Sequence, residues 1–139
     1  MKVVYDEPER FAAWAAEQLG MGGGFQPPYV VIGGANENGE PIAACILNCY
    51  RQKYGDIEIT TVGKGKFTRG FWGVILAYVW GVLECRRVTM RMRESNSPVI
   101  KLVTHFGAKA EGRLRKYYGT EDAIVFGLLK EEAKHVQPI

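Results

Sequence analysis

The residues best suited to chemistry lie between Gly63 and Gly70, in the run Gly-Lys-Gly-Lys-Phe-Thr-Arg-Gly that leads into a long apolar segment. Glycine lets a backbone approach a ligand closely, and a helix amino terminus offers N–H groups and a positive dipole end. With Lys64, Lys66 and Arg69 interleaved among Gly63, Gly65 and Gly70, the run suits an anion such as a pyrophosphate. A solvated basic turn that opens a buried helix is the other reading. Just upstream, Asp56 and Glu58 are two residues apart in a β-rich stretch, so their carboxylates share one strand face with Thr60 and Val62, while Ile57, Ile59 and Thr61 point the other way. A third cluster, Arg113 to Lys116 followed by Tyr117 and Tyr118, mixes charge with stacking rings, as a nucleic-acid surface does. The patch is short and the chain carries only +3 net charge, which weighs against that use.

Three cysteines, Cys45, Cys49 and Cys85, leave one unpaired in any connectivity. Cys45 and Cys49 fall four apart in a strand-like run, on one face but roughly 13 Å apart along it, too far for a disulfide or a metal clip. All three read as core residues. No secretory leader precedes the first charged segment, so a cytoplasmic setting is expected. The longest apolar run, Gly70 to Leu83, is shorter than the roughly twenty residues a bilayer requires and reads as a buried helix. At 139 residues with 47% hydrophobic and 24% charged residues, the chain is expected to be one domain with one core, spanning 1–139, with 130–139 as a frayed tail.

The elements that must position these groups follow from periodicity. Lys2 to Tyr5 suggests a short strand. Pro8 stands in a helix first turn, with Phe11, Trp14, Ala15 and Leu19 on one apolar face and Gly20 to Gly24 at its end. Tyr29 to Ile32 and Ile42 to Tyr50 form a hairpin across Gly33 to Gly39, and Ile57 to Val62 is a third strand. The apolar helix and then Val88 to Met92 complete a βαβ crossover. Ser95-Asn96 can cap the next helix, Pro98 lies in its first turn, and Gly107 follows its end. Ala108 to Lys116 and Ala123 to Leu129 form a last hairpin across Tyr117 to Glu121. The expected class is α/β, a mixed, mostly antiparallel sheet with one parallel pair and flanking helices.

This order, with Val62 eight residues before Gly70 and Asn96 eleven before Gly107, resembles the GNAT superfamily of acetyl-CoA-dependent N-acetyltransferases over residues 55 to 130. The last hairpin, with Glu111-Gly112-Arg-Leu-Arg and Asp122 to Leu128, resembles small phage-encoded members. The family's glycine signature is met only in part: Phe67 stands where Gln or Arg is usual, Trp72 where Gly or Ala is usual, and Ala108 replaces a Phe.

The resemblance implies acetyl-CoA as acetyl donor, held by Thr61, Val62, Lys64, Gly65, Lys66, Arg69, Gly70, Phe71, Trp72 and Asn96. The fourth and fifth strands would splay apart, and its pantetheine would pair with the exposed β edge at Thr60 to Val62, opposite Val88 to Met92; the bland reading is a continuous sheet with no gap. Catalysis would be direct attack by an amine in a ternary complex, with Glu58, or less centrally Asp56, as base; the bland reading of Glu58 is an exposed strand carboxylate paired with a lysine or arginine. Tyr117 and Tyr118 would border the acceptor, a protein lysine, a protein amino terminus or a small amine, unless they are simply packing. The usual tyrosine acid falls on Val103, which cannot donate a proton, and His105 reads as a surface residue at a helix end. That gap supports a competing expectation, an inactive GNAT-shaped protein that binds a partner, a host protein if the chain is phage-encoded. A monomer and a homodimer are both compatible with the sequence, and no metal is expected.

Overall fold

In the computed structural model, which describes residues 1–63 and 69–135 (Arg69 by its backbone alone), the chain runs β1 (Lys2–Val4), α1 (Pro8–Leu19), β2 (Val30–Ala35), β3 (Pro41–Arg51), β4 (Asp56–Gly63), α2 (Arg69–Ala77), β5 (Arg87–Arg93), α3 (Ser97–His105), β6 (Lys109–Leu114) and β7 (Ala123–Leu129). A π-helical turn, Tyr78–Val82, extends α2, and 3-10 turns occupy Gln52–Tyr54 and Lys130–Glu132. The strands make one sheet in the order β1-β2-β3-β4-β5-β7-β6. Every neighbouring pair is antiparallel except β4 and β5, which the α2 crossover makes parallel.

Alternation along the strands gives the sheet two unlike faces. On one, α2 and α3 bury Phe71, Trp72, Ile75, Val103 and Phe106 against Ile57, Ile59, Val88, Met90, Phe126 and Leu128. On the other, α1 sets Phe11, Ala12 and Ala15 over Val31, Ala44 and Ile46, with Val62 packed alongside. Each large side chain so buried is worth about 1.5–3 kcal/mol. The close fit of α1 depends on Gly33, where an added Cβ would lie 2.5 Å from the Phe11 ring. The helix ends at Gly20, whose φ of 69° is left-handed and whose N–H reaches back to the Ala16 and Glu17 carbonyls.

Two local expectations need correction. The buried face of α1 is Phe11, Ala12, Ala15 and Ala16, with Leu19 44% exposed, because α1 crosses the sheet over its first three turns only. Cys45 and Cys49 do not share a face: the β3–β4 register slips between Asn48 and Arg51, Cys49 takes φ 52°, and it emerges exposed while Cys45 stays buried. The segment Lys130–Glu132 is ordered as a 3-10 turn, and Lys134 donates its N–H to the Phe106 carbonyl at 2.9 Å.

Candidate functional site

The parallel ladder between β4 and β5 is short. It runs from Asp56 opposite Arg87 to Ile59 opposite Met90 and stops. Beyond it, Thr60 to Gly63 continue to pair with β3 only, and Arg91 to Arg93 with β7 only. The two strands therefore part, and the β5-side edge of β4 from Thr60 onward has no β5 partner. The gap lies toward the end of β4 from which the chain runs to α2. Thr61 and Val62 are both half-buried there. The Val62 side chain packs with the α1 cluster, leaving its backbone as the group that edges the gap.

Of the residues expected to hold an anionic cofactor, Lys64, Gly65 and Lys66 lie outside the described residues, as does the Arg69 side chain. Gly70 is exposed in the first turn of α2. Phe71 and Trp72 are 2% and 1% exposed, and Trp72 packs on Phe106 with ring centroids 5.9 Å apart, so any contact they make with a cofactor is through their backbone. Their side chains belong to the core, because the helix that follows a βαβ turn must bury its apolar stripe against the sheet. Asn96 occupies the cap position of α3, but its side chain makes no capping bond; its carbonyl accepts the Ile100 N–H at 3.1 Å.

The two carboxylates of β4 face the α1 side of the sheet, as alternation requires, and their surroundings differ. Asp56 is 8% exposed and fully engaged: Arg51 Nε donates at 3.1 Å, Thr89 Oγ1 at 2.9 Å, and Arg87 Nε lies at 3.5 Å. Arg87 in turn clasps both carboxylate oxygens of Glu111, which holds the Glu111 carboxyl below its ordinary pKa. Such a locked, desolvated carboxylate is committed to positioning its neighbours rather than to a substrate.

Glu58 is more open. It is ion-paired with Arg91 and stands beside the Cys49 thiol, whose pKa is raised first by hydrogen bonding toward Glu58, then by burial and the carboxylate's charge. The bland reading of Glu58 as a paired strand carboxylate is thus correct as geometry. Around the two carboxylates is a cavity of about 490 Å³ lined by Cys49, Arg51, Asp56, Glu58, Arg87 and Thr89.

The β6–β7 loop folds back onto this face. The Arg91 guanidinium lies 5.6 Å from the Tyr117 ring centroid and the Arg93 guanidinium 4.4 Å from that of Tyr118, with the two rings edge to face at 5.1 Å. Glu121 anchors the loop by accepting from Arg93 at 3.3 Å and from the Ser95 N–H at 2.8 Å. Glu58, Arg91, Tyr117, Tyr118 and Arg93 therefore form one connected strip. The arginines and Thr89 were not singled out from the sequence; the signal was the alternation Arg87-x-Thr89-x-Arg91-x-Arg93, which puts four polar side chains on one face of a buried strand.

The strip contains no tyrosine from α3. Val103, at the position where the family carries its acid, is buried in the opposite face's core. His105 is exposed at the end of α3 and stacks on His135 at 4.6 Å. Among the described residues, no group of three or more His, Cys, Asp or Glu is placed to hold a metal ion, and no helix is long and apolar enough to cross a membrane.

No family model matches the chain. An alignment of 105 residues at 30% identity links it to the uncharacterized N-acetyltransferase p20 of Bacillus licheniformis, covering 69% of this chain and 59% of that protein. The chain thus spans about three fifths of that relative's length. Among solved structures, a variant of spermidine N-acetyltransferase SpeG from Vibrio cholerae superposes with a TM-score of 0.75 at 11% identity, over 93% of this chain and 95% of that one. A structure of the Vibrio cholerae spermidine N-acetyltransferase in complex with CoA and spermine superposes with a TM-score of 0.67 at 16% identity, over 75% of this chain and 67% of that one. The mixed seven-stranded sheet with its single parallel, splayed pair is the fold of GNAT N-acetyltransferases.

Proposed function

We propose that the chain is an acetyl-CoA-dependent N-acetyltransferase that passes the acetyl group to a primary amine by direct attack. The observation that carries the reading is the end of the β4–β5 ladder at Ile59 and Met90, one residue past Glu58. The open β4 edge offers backbone hydrogen bonds to an amide-containing arm such as pantetheine, and the first turn of α2, with Gly70 exposed, suits its pyrophosphate. The reading finds further support in the N-acetyltransferases that share the fold, one of them in complex with CoA and spermine.

In the proposed reaction the amine nitrogen attacks the thioester carbonyl carbon, the carbon–sulfur bond breaks, and the thiolate leaves. The chain's own groups act around that centre. Glu58, directly or through a water, takes the one proton that the ammonium must lose before attack, and the second proton, shed by the nitrogen once the carbon–nitrogen bond has formed, passes to the thiolate or to solvent. Backbone N–H groups of the free β4 edge polarise the carbonyl oxygen. Tyr117 and Tyr118 border the acceptor. Val103 supplies no proton to the thiolate, so that proton comes from solvent or from the amine.

A binding protein of the same fold is the competing reading, favoured by Val103 and by the Arg91 ion pair that already occupies the Glu58 carboxylate. Calorimetry with acetyl-CoA, on the parent and on Gly70→Glu, tests the donor site: the parent should bind and the variant should not. Product mass spectrometry with a panel of amines separates turnover from binding alone. Absence of acetyl-CoA binding by the parent would overturn the enzyme reading.

A further inference from the structure

A second cavity, of about 580 Å³, lies beside the first at the α1–β2 connection. Its walls are mostly apolar: Pro27, Pro28, Tyr29, Leu47, Ile57 and Leu83. Cys49 and Tyr50, the bulged residues of β3, line both cavities and so form their common wall. Tyr50 is held in place there because its hydroxyl donates to the Leu83 carbonyl at 2.6 Å, which fixes a ring that is still 41% exposed.

The first cavity is polar but balanced. Among the described residues, each carboxylate in it or next to it is held by an arginine: Asp56 by Arg51 and Arg87, Glu111 by Arg87, Glu58 by Arg91, and Glu121 by Arg93. A polycation needs several carboxylates whose charge is not already matched by another cation, each desolvated ammonium being costly unless paired. This face offers at most one, Glu58.

We infer that the acceptor is a primary amine bearing one apolar group, with the amine in the carboxylate cavity beside Glu58 and the apolar group across the Cys49–Tyr50 wall in the cavity between Pro28 and Leu83. The inference rests on the acetyl-transfer reading and narrows its substrate class. A single ammonium displaces Arg91 from one carboxylate, and burial of an aromatic or aliphatic group supplies the affinity that a second ammonium would supply in a polyamine site.

The test is acetyl transfer to ethylamine, phenethylamine and spermidine, with the acetylated amine read by mass spectrometry. The expected order has phenethylamine at least tenfold above both others in kcat/KM. Val30→Lys, at a 38% exposed position on the rim of the apolar cavity, should remove that preference by raising KM for phenethylamine, with acetyl-CoA affinity by calorimetry unchanged. Spermidine as the best acceptor, or phenethylamine no better than ethylamine, overturns the inference and leaves acetyl transfer standing. Acetyl-CoA binding with no transfer to any of these amines or to a leucine-initiated peptide overturns both.

Discussion

The guanidinium of Arg91, just past the last β4–β5 ladder pair, turns back across the seam to hold the carboxylate of Glu58 while its other side lies against the ring of Tyr117. One side chain thus ties the proposed base to the loop proposed to border the acceptor. Glu58→Gln keeps the shape and the Arg91 hydrogen bond but cannot accept a proton. It should lower kcat by roughly 10²- to 10⁴-fold with acetyl-CoA affinity unchanged. An unchanged kcat would remove Glu58 from the chemistry.

Asp56 should behave differently although it stands on the same strand face. Its three donors make it the fastening between β3, β4 and β5, so Asp56→Ala should cost about 2–3 kcal/mol through the donors left unsatisfied. Urea unfolding reads this as a lower midpoint. Activity per folded molecule should fall far less than in Glu58→Gln.

Cys49 reports on the same carboxylate. Its hydrogen bond to Glu58 raises the thiol's pKa, so alkylation by iodoacetamide at pH 8 should be slower than for a free thiol despite exposure. Burial raises Cys45 and Cys85 as well, and both should remain unlabelled in the folded chain. Glu58→Gln should speed Cys49 labelling by removing the carboxylate's charge; no change in rate would mean that the thiol and carboxylate do not touch in solution.

Acid should loosen the last hairpin first. Glu121 is lowered by the Ser95 hydroxyl and N–H and then by Arg93, and Asp122 by the Lys116 N–H and then by Arg113. Both carboxyls are depressed in the folded chain. Their contribution is therefore complete above the ordinary carboxylate values, roughly pH 4, and is lost as pH falls through the lower native ones. Hydrogen exchange in β6 and β7 should rise over that window, and Glu121→Gln with Asp122→Asn should flatten the dependence.

Gly33→Ala tests how α1 is seated. The new methyl would meet the Phe11 ring, which has core on every side, so the helix must shift at a cost of about 1–3 kcal/mol. Chemical denaturation gives the number directly.

The order of strands and helices was readable because period 2 and period 3.6 both persist where a face is buried: Ile57, Ile59 and Thr61 against Asp56, Glu58 and Thr60 foretold which carboxylates would meet. The splay at Thr60 to Val62 was expected from the resemblance rather than from residues, since nothing local to Ile59 or Met90 encodes the end of a ladder. The bulge at Cys49 left no mark in the sequence, because it needs a left-handed residue and no glycine or asparagine sits there. For the same reason Cys45 and Cys49 were put on one face. The burial of the Phe71 and Trp72 side chains was not legible beside a glycine-rich turn, because Trp72 packs on Phe106, more than thirty residues away. Arg91 and Arg93 acquire meaning only once the Tyr117–Tyr118 loop folds over them.

The sheet's last strand, β6, is exposed along all six residues. Such a margin is an invitation to fibrillar growth, since another chain's strand can dock on its unpaired backbone. Here Lys109, Glu111 and Arg113 load it with alternating charge, and the slip between Ala110 and Gly112 bends it out of register. Neutralising those charges would therefore show itself first as turbidity on standing, well before any loss of the fold.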